Sequence, residues 1–123
     1  MRFRPEQHIR RQSDFRAIRE RGRRYNCGAF TFWCLRRDTD HEQASADVRR
    51  AAFIASTAAV GHAVRRNRAK RRLREVFRRH QDNLPTGTDS LLSARAAALE
   101  TPFPELEARF LDACRKAAPP ATP

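Results

Sequence analysis

The chain has 123 residues and carries 26 Lys or Arg against 14 Asp or Glu, a formal net charge of +12. This length favours one domain with a modest core, and eight Phe and one Trp supply apolar material, which excludes a disordered tail. The charge favours a polyanionic partner, nucleic acid before an anionic membrane surface. No apolar run reaches transmembrane length, and three cysteines without C-x-x-C spacing favour reduced thiols over a disulfide or zinc framework. We therefore expect a soluble, cytoplasmic protein.

A short helix is the first predicted element. Ser13 or Asp14 is typical of a helix N-cap, and Phe15 and Ile18 lie three residues apart on one helical face. Gly22 predicts the end of this helix. A helix of this length depends on packing for its stability.

Two β-rich runs follow the first helix. Residues 30–35 predict a strand with two apolar faces, one holding Phe30, Phe32 and Cys34 and the other Thr31, Trp33 and Leu35. Residues 52–57 predict a second strand that could extend to Val60. The polar residues 36–50 between the runs predict a mobile loop.

The second half of the chain predicts a basic helix within residues 60–79, a turn at 81–88, a short strand at 89–95 and a last helix from Thr101. The last helix carries an apolar stripe of Phe103, Leu106, Phe110, Leu111 and Cys114. We expect one domain over residues 1–118 and a flexible tail at 119–123. The order α-β-β-(β)-α-β-α, with an optional third strand before the basic helix, predicts a small two-layer α/β sandwich of the α+β class.

The basic helix holds most of the net charge, because residues 65–79 contain nine Arg or Lys and one acid, Glu75. A helical projection places the apolar side at His62, Ala69, Leu73, Val76, Phe77 and His80. The opposite arc holds Asn67, Arg68, Arg71, Arg72, Arg74, Arg78 and Arg79, while Arg66 and Lys70 lie nearer the apolar side. Like charges four residues apart cost about 1–2 kcal/mol together, and Glu75 could relieve part of this through Arg71 and Arg79. Such an arc favours a phosphate backbone as partner over a merely solvated face.

The same helix carries the element R-N-R-x-K-R from Arg66 to Arg71, preceded by Val60-Gly61 and followed by Arg74-Glu75. This combination resembles the signature of the protein subunit of bacterial ribonuclease P. The similarity covers residues 8–116 and includes Asp14-Phe15, Gly22-Arg23-Arg24 and the 89–95 strand. The resemblance implies the family's fold, with a left-handed β-α-β crossover. It also implies binding to a catalytic RNA that removes the 5′ leader from precursor tRNA, with magnesium held mainly by the RNA.

Carried over by position, the resemblance implies that six residues contact the catalytic RNA or lie where it meets the substrate: Arg66, Asn67, Arg68, Lys70, Arg71 and Arg74. It places Phe15 and Trp33 in a cleft for the single-stranded leader, where base stacking would tolerate any sequence. Ordinary core packing is the alternative role for both aromatics. Arg19 stands where the family usually has a second aromatic or apolar residue, so we expect a more electrostatic cleft. We expect no catalytic residue, no metal ligand and no obligate protein partner in this chain.

Three other functions compete with this one. A nuclease acting alone needs clustered carboxylates or an acid–base pair, but the acids are scattered and the histidines (His8, His41, His62, His80) lack ligand spacing. A structural RNA-binding module of the ribosomal-protein type fits the composition, and the R-N-R context argues against it. A membrane-surface helix is disfavoured because its apolar stripe is thin and suits a sheet better.

Overall fold

The computed structural model describes residues 2–37 and 48–117, in which four strands form one sheet. The helices are α1 (Gln12–Arg21), α2 (Thr57–Val60), α3 (Ala63–His80) and α4 (Phe103–Ala117). The strands are β1 (Arg23–Asn26), β2 (Phe30–Arg36), β3 (Arg50–Ile54) and β4 (Thr88–Ala94). Short 3-10 turns occupy Pro5–Gln7, Gln81–Asn83 and Ala96–Leu99. The α+β class is confirmed; β1, where no strand was predicted, gives the sheet a third strand before the basic helix.

The sheet has the strand order β1-β2-β4-β3. β2 pairs antiparallel with β1 and with β4, whereas β3 and β4 are parallel neighbours. Because α3 lies between β3 and β4 in sequence, these three elements form a β-α-β crossover. The left-handed sense of this crossover stays a prediction.

The two faces of the sheet are covered by different helices. One face packs against α3 and α4 in a core that includes Phe30, Phe32, Leu73, Phe77, Leu92 and Phe110. The other face packs against α1 in a smaller cluster built on Ile9, Ile18, Ala52 and Leu91. The predicted alternation of β2 is confirmed, since Phe32 lies in the large core while Trp33 packs against the small cluster. The short α1 leaves several side chains of this second face half-buried.

Several element boundaries differ from the predicted ones. Helix α1 begins at Gln12 after Arg11, and neither Ser13 nor Asp14 caps it; the Asp14 carboxylate instead lies 3.6 Å from Arg50. β3 ends at Ile54, because the Ser56 side chain accepts a hydrogen bond from the Ala59 amide and starts α2.

Gly22 ends α1 as predicted, for a steric reason. A β-carbon at this position would lie 2.4 Å from the carbonyl oxygen of Ile18 and 3.1 Å from that of Cys34. The helix can therefore approach β2 closely only with glycine here.

The predicted 36–50 loop is shorter at both ends than expected, because Arg36 belongs to β2 and Arg50 to β3. Residues 38–47 and the tail at 119–123 lie outside the described residues, so their mobility stays a prediction.

The N-terminal segment covers the outer edge of β3. The amide of Ile9 donates to the carbonyl of Ala51 at 3.1 Å. Gln7 and Gln81 are buried, and the Gln7 amide donates to the Gln81 side-chain oxygen at 2.6 Å. This segment therefore shields backbone groups that an edge strand would otherwise expose.

Candidate nucleic-acid interface

Helix α3 presents the predicted RNA-binding residues opposite its buried stripe. The stripe consists of Ala69, Leu73, Val76 and Phe77, all 0% exposed. Four of the six predicted residues are exposed, namely Asn67, Arg68, Arg71 and Arg74. Arg66 and Lys70 are half-buried at the border, as the projection predicted. The structure therefore brings all six onto one helix, with three arginine head groups open to a partner.

Arg66 has an unusual environment within this group. Its Nε atom is buried and has no hydrogen-bond partner in the described part of the chain. A guanidinium presents its donors in a fixed planar fork, so fixing one edge against protein directs the other edge outward. Arg66 therefore differs from the exposed arginines of α3, because its Nε atom is shielded from solvent.

Arg72 was predicted on the exposed arc, and this prediction is wrong. Its guanidinium donates to the carbonyls of Ala98 and Thr101, each at 2.6 Å. Burial, and then the nearby charge of Arg68, lower the pKa of Arg72. Arg72 therefore fastens α3 to the segment before α4, because it satisfies carbonyls of the Ala96–Leu99 turn and its exit.

The acid of the helix has other partners than those predicted. Glu75 accepts hydrogen bonds from Arg78 and Arg79 instead of Arg71 and Arg79. Arg71 consequently stays on the exposed arc with no ion pair among the described residues. The cationic surface of α3 is therefore concentrated over its first three turns, and its last turn is partly neutralised.

The two histidines flanking α3 behave differently. His80 is half-buried and its Nε2 lies 2.6 Å from a Glu107 carboxylate oxygen on α4. His62 is the exposed N-cap residue and makes no side-chain capping bond. The prediction that both pack on the apolar stripe is therefore wrong for His62.

Positive charge continues from α3 across the edge of β3. The guanidinium carbon of Arg74 lies 5.8 Å from the centre of the Phe53 ring. The pKa of His8 is lowered, mainly by burial and further by the charges of Arg10 and Arg74. Arg10, which precedes α1, and Arg74 on α3 therefore both contribute positive potential at the His8 ring. The sequence placed Arg10 only in an irregular basic segment.

The second predicted site is the cleft between α1 and the sheet, on the face opposite α3. Phe15 and Trp33 are both half-buried and pack against the same small cluster. The guanidinium carbon of Arg19 lies 5.8 Å from the centre of the Trp33 ring, and that of Arg24 lies 5.9 Å from it. The structure thus brings Phe15, Arg19 and Trp33 together as predicted and adds Arg24. Sequence reasoning missed Arg24 because it missed β1, where Arg24 pairs with Trp33.

A buried ion network holds α1 over this cleft. Asp89 on β4 accepts from Arg50 on β3 and from Arg37 after β2, and its side chain is 5% exposed. Arg50 in turn lies 3.6 Å from Asp14 on α1. The first turn of α1 is therefore linked electrostatically to β3, to β4 and to the residue that follows β2.

The described ranges hold neither a metal-binding cluster nor a membrane-spanning helix. No three His, Cys, Asp or Glu side chains in residues 2–37 and 48–117 lie where they could hold a metal ion. Within the same ranges, none of the helices has the length and apolar character required to cross a membrane.

The fold and its two surfaces define a class: a small, strongly cationic α+β protein with a basic crossover helix on one face of its sheet and an aromatic cleft on the other. The sequence model described as Ribonuclease P matches residues 3–118, and the chain belongs to that family.

Relatives in this family support the assignment. The chain is 35% identical over 118 residues to the ribonuclease P protein component of Chloroflexus aggregans, covering 94% of this chain and 80% of the relative. It is 40% identical over 92 residues to the protein component of Desulfovibrio desulfuricans, covering 75% of this chain. That second match spans just under two thirds of the relative's own length, 66%.

Solved structures share the fold. The RNase P protein of Staphylococcus aureus superimposes with a TM-score of 0.72 at 22% identity, covering 90% of this chain and 94% of that one. The RNase P protein of Thermotoga maritima gives 0.71 at 24% identity, covering 89% and 96%. At these identities the likeness concerns the fold.

Proposed function

We propose that this chain is the protein component of a bacterial-type ribonuclease P, which binds a catalytic RNA and assists its removal of the 5′ leader from precursor tRNA. The observation that carries the proposal is the exposed arginine arc of α3 in a chain of this family. A tRNA-processing role of this kind belongs to the cytoplasm.

The α3 arc is suited to the catalytic RNA. Arg68, Arg71 and Arg74 are exposed, and none of the three forms an ion pair with an acid among the described residues. Because neighbouring like charges destabilise an isolated helix, their clustering is better explained by a polyanionic partner that neutralises them. Arg66 and Lys70 at the border extend the surface to about five phosphate contacts.

The α1 cleft is suited to the single-stranded leader. A base stacked on an aromatic side chain contributes roughly 1–3 kcal/mol without regard to sequence. Trp33 already has two guanidinium groups near its ring, from Arg19 and Arg24. A nucleotide entering here would place its base on Trp33 or Phe15 and its phosphate against these arginines. We infer that leader binding combines base stacking with ionic contacts. Arg19 would contribute an ionic contact at the position where the family usually has an aromatic or apolar residue.

The chemistry of cleavage is assigned to the RNA. We propose that magnesium is held mainly by the RNA and that no residue of this chain is catalytic. The carboxylates support this view because they are already paired. Asp89 and Asp14 hold the ion network, Glu75 pairs with Arg78 and Arg79 within α3, and Glu107 links α4 to His80 of α3. The chain's part is to position RNA and to stabilise its folded, metal-bound form.

Reconstitution tests the proposal. The purified protein is added to a bacterial ribonuclease P RNA at low magnesium, and cleavage of precursor tRNA is followed. We expect cleavage to increase with protein, the protein alone to cleave nothing, and the Arg68→Ala/Arg71→Ala variant to lose most of the increase. A matched double variant, Arg4→Ala/Arg115→Ala, removes the same charge from exposed positions outside both surfaces and should keep the increase.

Unchanged cleavage on adding the protein would overturn the assignment and favour a structural RNA-binding module. Robust cleavage by the RNA-free protein would overturn the assignment of chemistry to the RNA.

A further inference from the structure

A second cationic site lies at the free edge of the sheet, away from α3. It is a cavity of about 480 Å³ at the start of β1 and the end of β2, and residues from the last turns of α1 and α4 also line it. Its cations come from four elements: Arg21 from α1, Arg23 from β1, Arg36 from β2 and Lys116 from α4. No acid among the described residues lines it. The size is within the range of about 300–1,000 Å³ that is usual for small-molecule sites.

The charges of this cavity are open to a ligand. Arg21, Arg23 and Arg36 are exposed and form no ion pair with an acid in the described part of the chain. Lys116 differs, because its amine lies 3.1 Å from the carboxylate of Asp112. Several unpaired cations from separate elements form a concave positive surface, which attracts phosphate more strongly than isolated charges do.

The wall of the cavity adds groups that suit a nucleotide. Tyr25 lines it, and the buried hydroxyl of Tyr25 has no hydrogen-bond partner among the described residues. A buried hydroxyl without a partner destabilises the folded protein, and a hydrogen bond to a polar ligand atom would offset that cost. Leu35 and Pro85 supply apolar surface nearby. Phosphate-binding cations beside a phenol ring and aliphatic side chains match the two parts of a nucleotide, its phosphate and its base.

The cavity adjoins the α1 cleft around the end of β2. Tyr25 and Cys34 line it from the face of the sheet that packs against α3 and α4, and Leu35 lines it from the face that packs against α1. Leu35 lines the cavity and also packs against the small cluster that holds Trp33 and Phe15. Trp33 and Leu35 are two residues apart on the same face of β2, so they lie about 7 Å from each other along the strand. Arg21 ends α1, the helix that forms one wall of the cleft. A single strand in the cleft can therefore pass the end of β2 and enter the cavity.

We propose that this cavity binds phosphates of the single-stranded leader beyond the part held in the cleft. The inference rests on the proposed function, because it needs a leader in the cleft. It assigns to Arg21 and Arg23 a role in binding long leaders. The alternative role for charges on β1 is to prevent edge-to-edge pairing with another chain, and that role has no dependence on leader length.

The test uses reconstituted holoenzyme and two precursor tRNAs, one with a leader too short to leave the cleft and one with a long unpaired leader. Arg21→Ala/Arg23→Ala is compared with the charge-matched Arg4→Ala/Arg115→Ala. We expect the first variant to weaken binding of the long-leader substrate by about three- to tenfold, since it removes two exposed ionic contacts and each of these is individually weak. Binding of the short-leader substrate should be unchanged. The salt slope for the long leader should become shallower by about 0.7 for each phosphate that the variant no longer neutralises.

Other results would overturn the leader assignment, the site itself or the proposed function. Equal weakening for both leaders would overturn the leader assignment and place the contact on the catalytic RNA. No weakening, or equal weakening by the control variant, would overturn the site. Self-association of the first variant without a leader-dependent effect would leave edge protection as the role of these charges. Arg21→Lys/Arg23→Lys keeps the charges and should restore long-leader binding. Wild-type protein that fails to activate the RNA at all would overturn the proposed function itself.

Discussion

Arg50 donates two hydrogen bonds to Asp89, from Nε to one carboxylate oxygen at 2.9 Å and from Nη2 to the other at 2.8 Å. These residues lie opposite each other on the parallel strands β3 and β4. Arg37 donates to the same carboxylate at 2.6 Å. The bidentate geometry is the strong form of an arginine–carboxylate pair. Because Arg50 also approaches Asp14, this pair connects the centre of the sheet with the helix that forms the cleft.

Replacing Asp89 with Asn is expected to destabilise the protein severely. The substitution removes the negative charge between two largely buried guanidinium groups, and breaking a buried pair costs about 3–5 kcal/mol. Urea denaturation should show the loss as a lower free energy of unfolding. Asp112→Asn is the control, because the side chain of Asp112 is 52% exposed, and it should change this free energy by less than about 0.5 kcal/mol. Equal stability of the Asp89 variant and the wild type would contradict the structural role.

The sequence predicted the fold well where the apolar pattern of a single helix or strand shows which of its side chains are buried. The alternation of β2 and the stripes of α3 and α4 follow from the periodicity of apolar residues, and the core clusters confirm them except at His62 and Leu111. β1 was missed as a strand because Arg23–Asn26 is polar. β1 is stabilised by its pairing with β2, and the residues of β1 alone do not show that this pairing forms.

The candidate sites could likewise be predicted only as far as the local pattern of each helix or strand allows. Helical periodicity gave the direction of each α3 side chain but not what lies opposite, so Arg72 could not be told from Arg68. The Ala98 carbonyl that Arg72 meets is 26 residues away in sequence. Arg24 was missed for the same reason, since its contact with Trp33 depends on strand register. An arginine that holds the fold together is therefore distinguished from one that is free to bind RNA by its contacts with residues distant in sequence.

Arg72→Ala and Arg68→Ala/Arg71→Ala should separate stability from RNA binding on a single helix. Arg72 donates to two carbonyls, and hydrogen bonds that involve a charged group contribute about 1.5–3 kcal/mol each. Its loss should lower the melting temperature by several degrees. The double variant removes exposed charges and should weaken binding to the catalytic RNA with little change in melting temperature.

Thermal unfolding by circular dichroism and RNA titration of the same samples would measure both effects. A large loss of stability in the Arg68/Arg71 variant would show that these side chains are structural. A stable Arg72 variant would contradict the bridge from α3 to the Ala96–Leu99 turn.

Affinity for the catalytic RNA should depend steeply on salt. If the cations of α3 neutralise about five phosphates, the log–log slope of the binding constant against salt concentration is about −3.5 to −4.5. Fluorescence anisotropy at a series of potassium chloride concentrations would give the slope. A flat dependence would contradict the electrostatic surface, whatever the affinity at one concentration.

The three cysteines should be unreactive in the native protein. All three are free and lie in the described part of the chain. Burial raises the pKa of Cys27 to about 11 and that of Cys34 to about 11, and it also raises the pKa of Cys114. Since only the thiolate reacts, modification near neutral pH should be slower by about two orders of magnitude than for a free thiol. Titration with a thiol reagent, native and in urea, measures this; rapid native reaction of all three would contradict the packing.

Glu75 should contribute stability that depends on pH. Hydrogen bonds from Arg78, and further from Arg79, lower the pKa of this carboxyl to about 2. Because the folded-state pKa lies below the ordinary value, the contribution is fully present above about pH 4.5 and is lost as pH falls toward 2. The side chain is 37% exposed, so solvent screening limits the pair energies to about 0.2–1 kcal/mol each.

Glu75→Gln should therefore lower the free energy of unfolding slightly at pH 7, and its difference from the wild type should shrink between pH 4.5 and pH 2. Chemical denaturation across this range measures the difference, with Glu20→Gln on the exposed side of α1 as the charge-matched control at pH 7. A difference that stayed constant down to pH 2, or that grew on acidification, would show that Glu75 is not stabilised by its arginine partners.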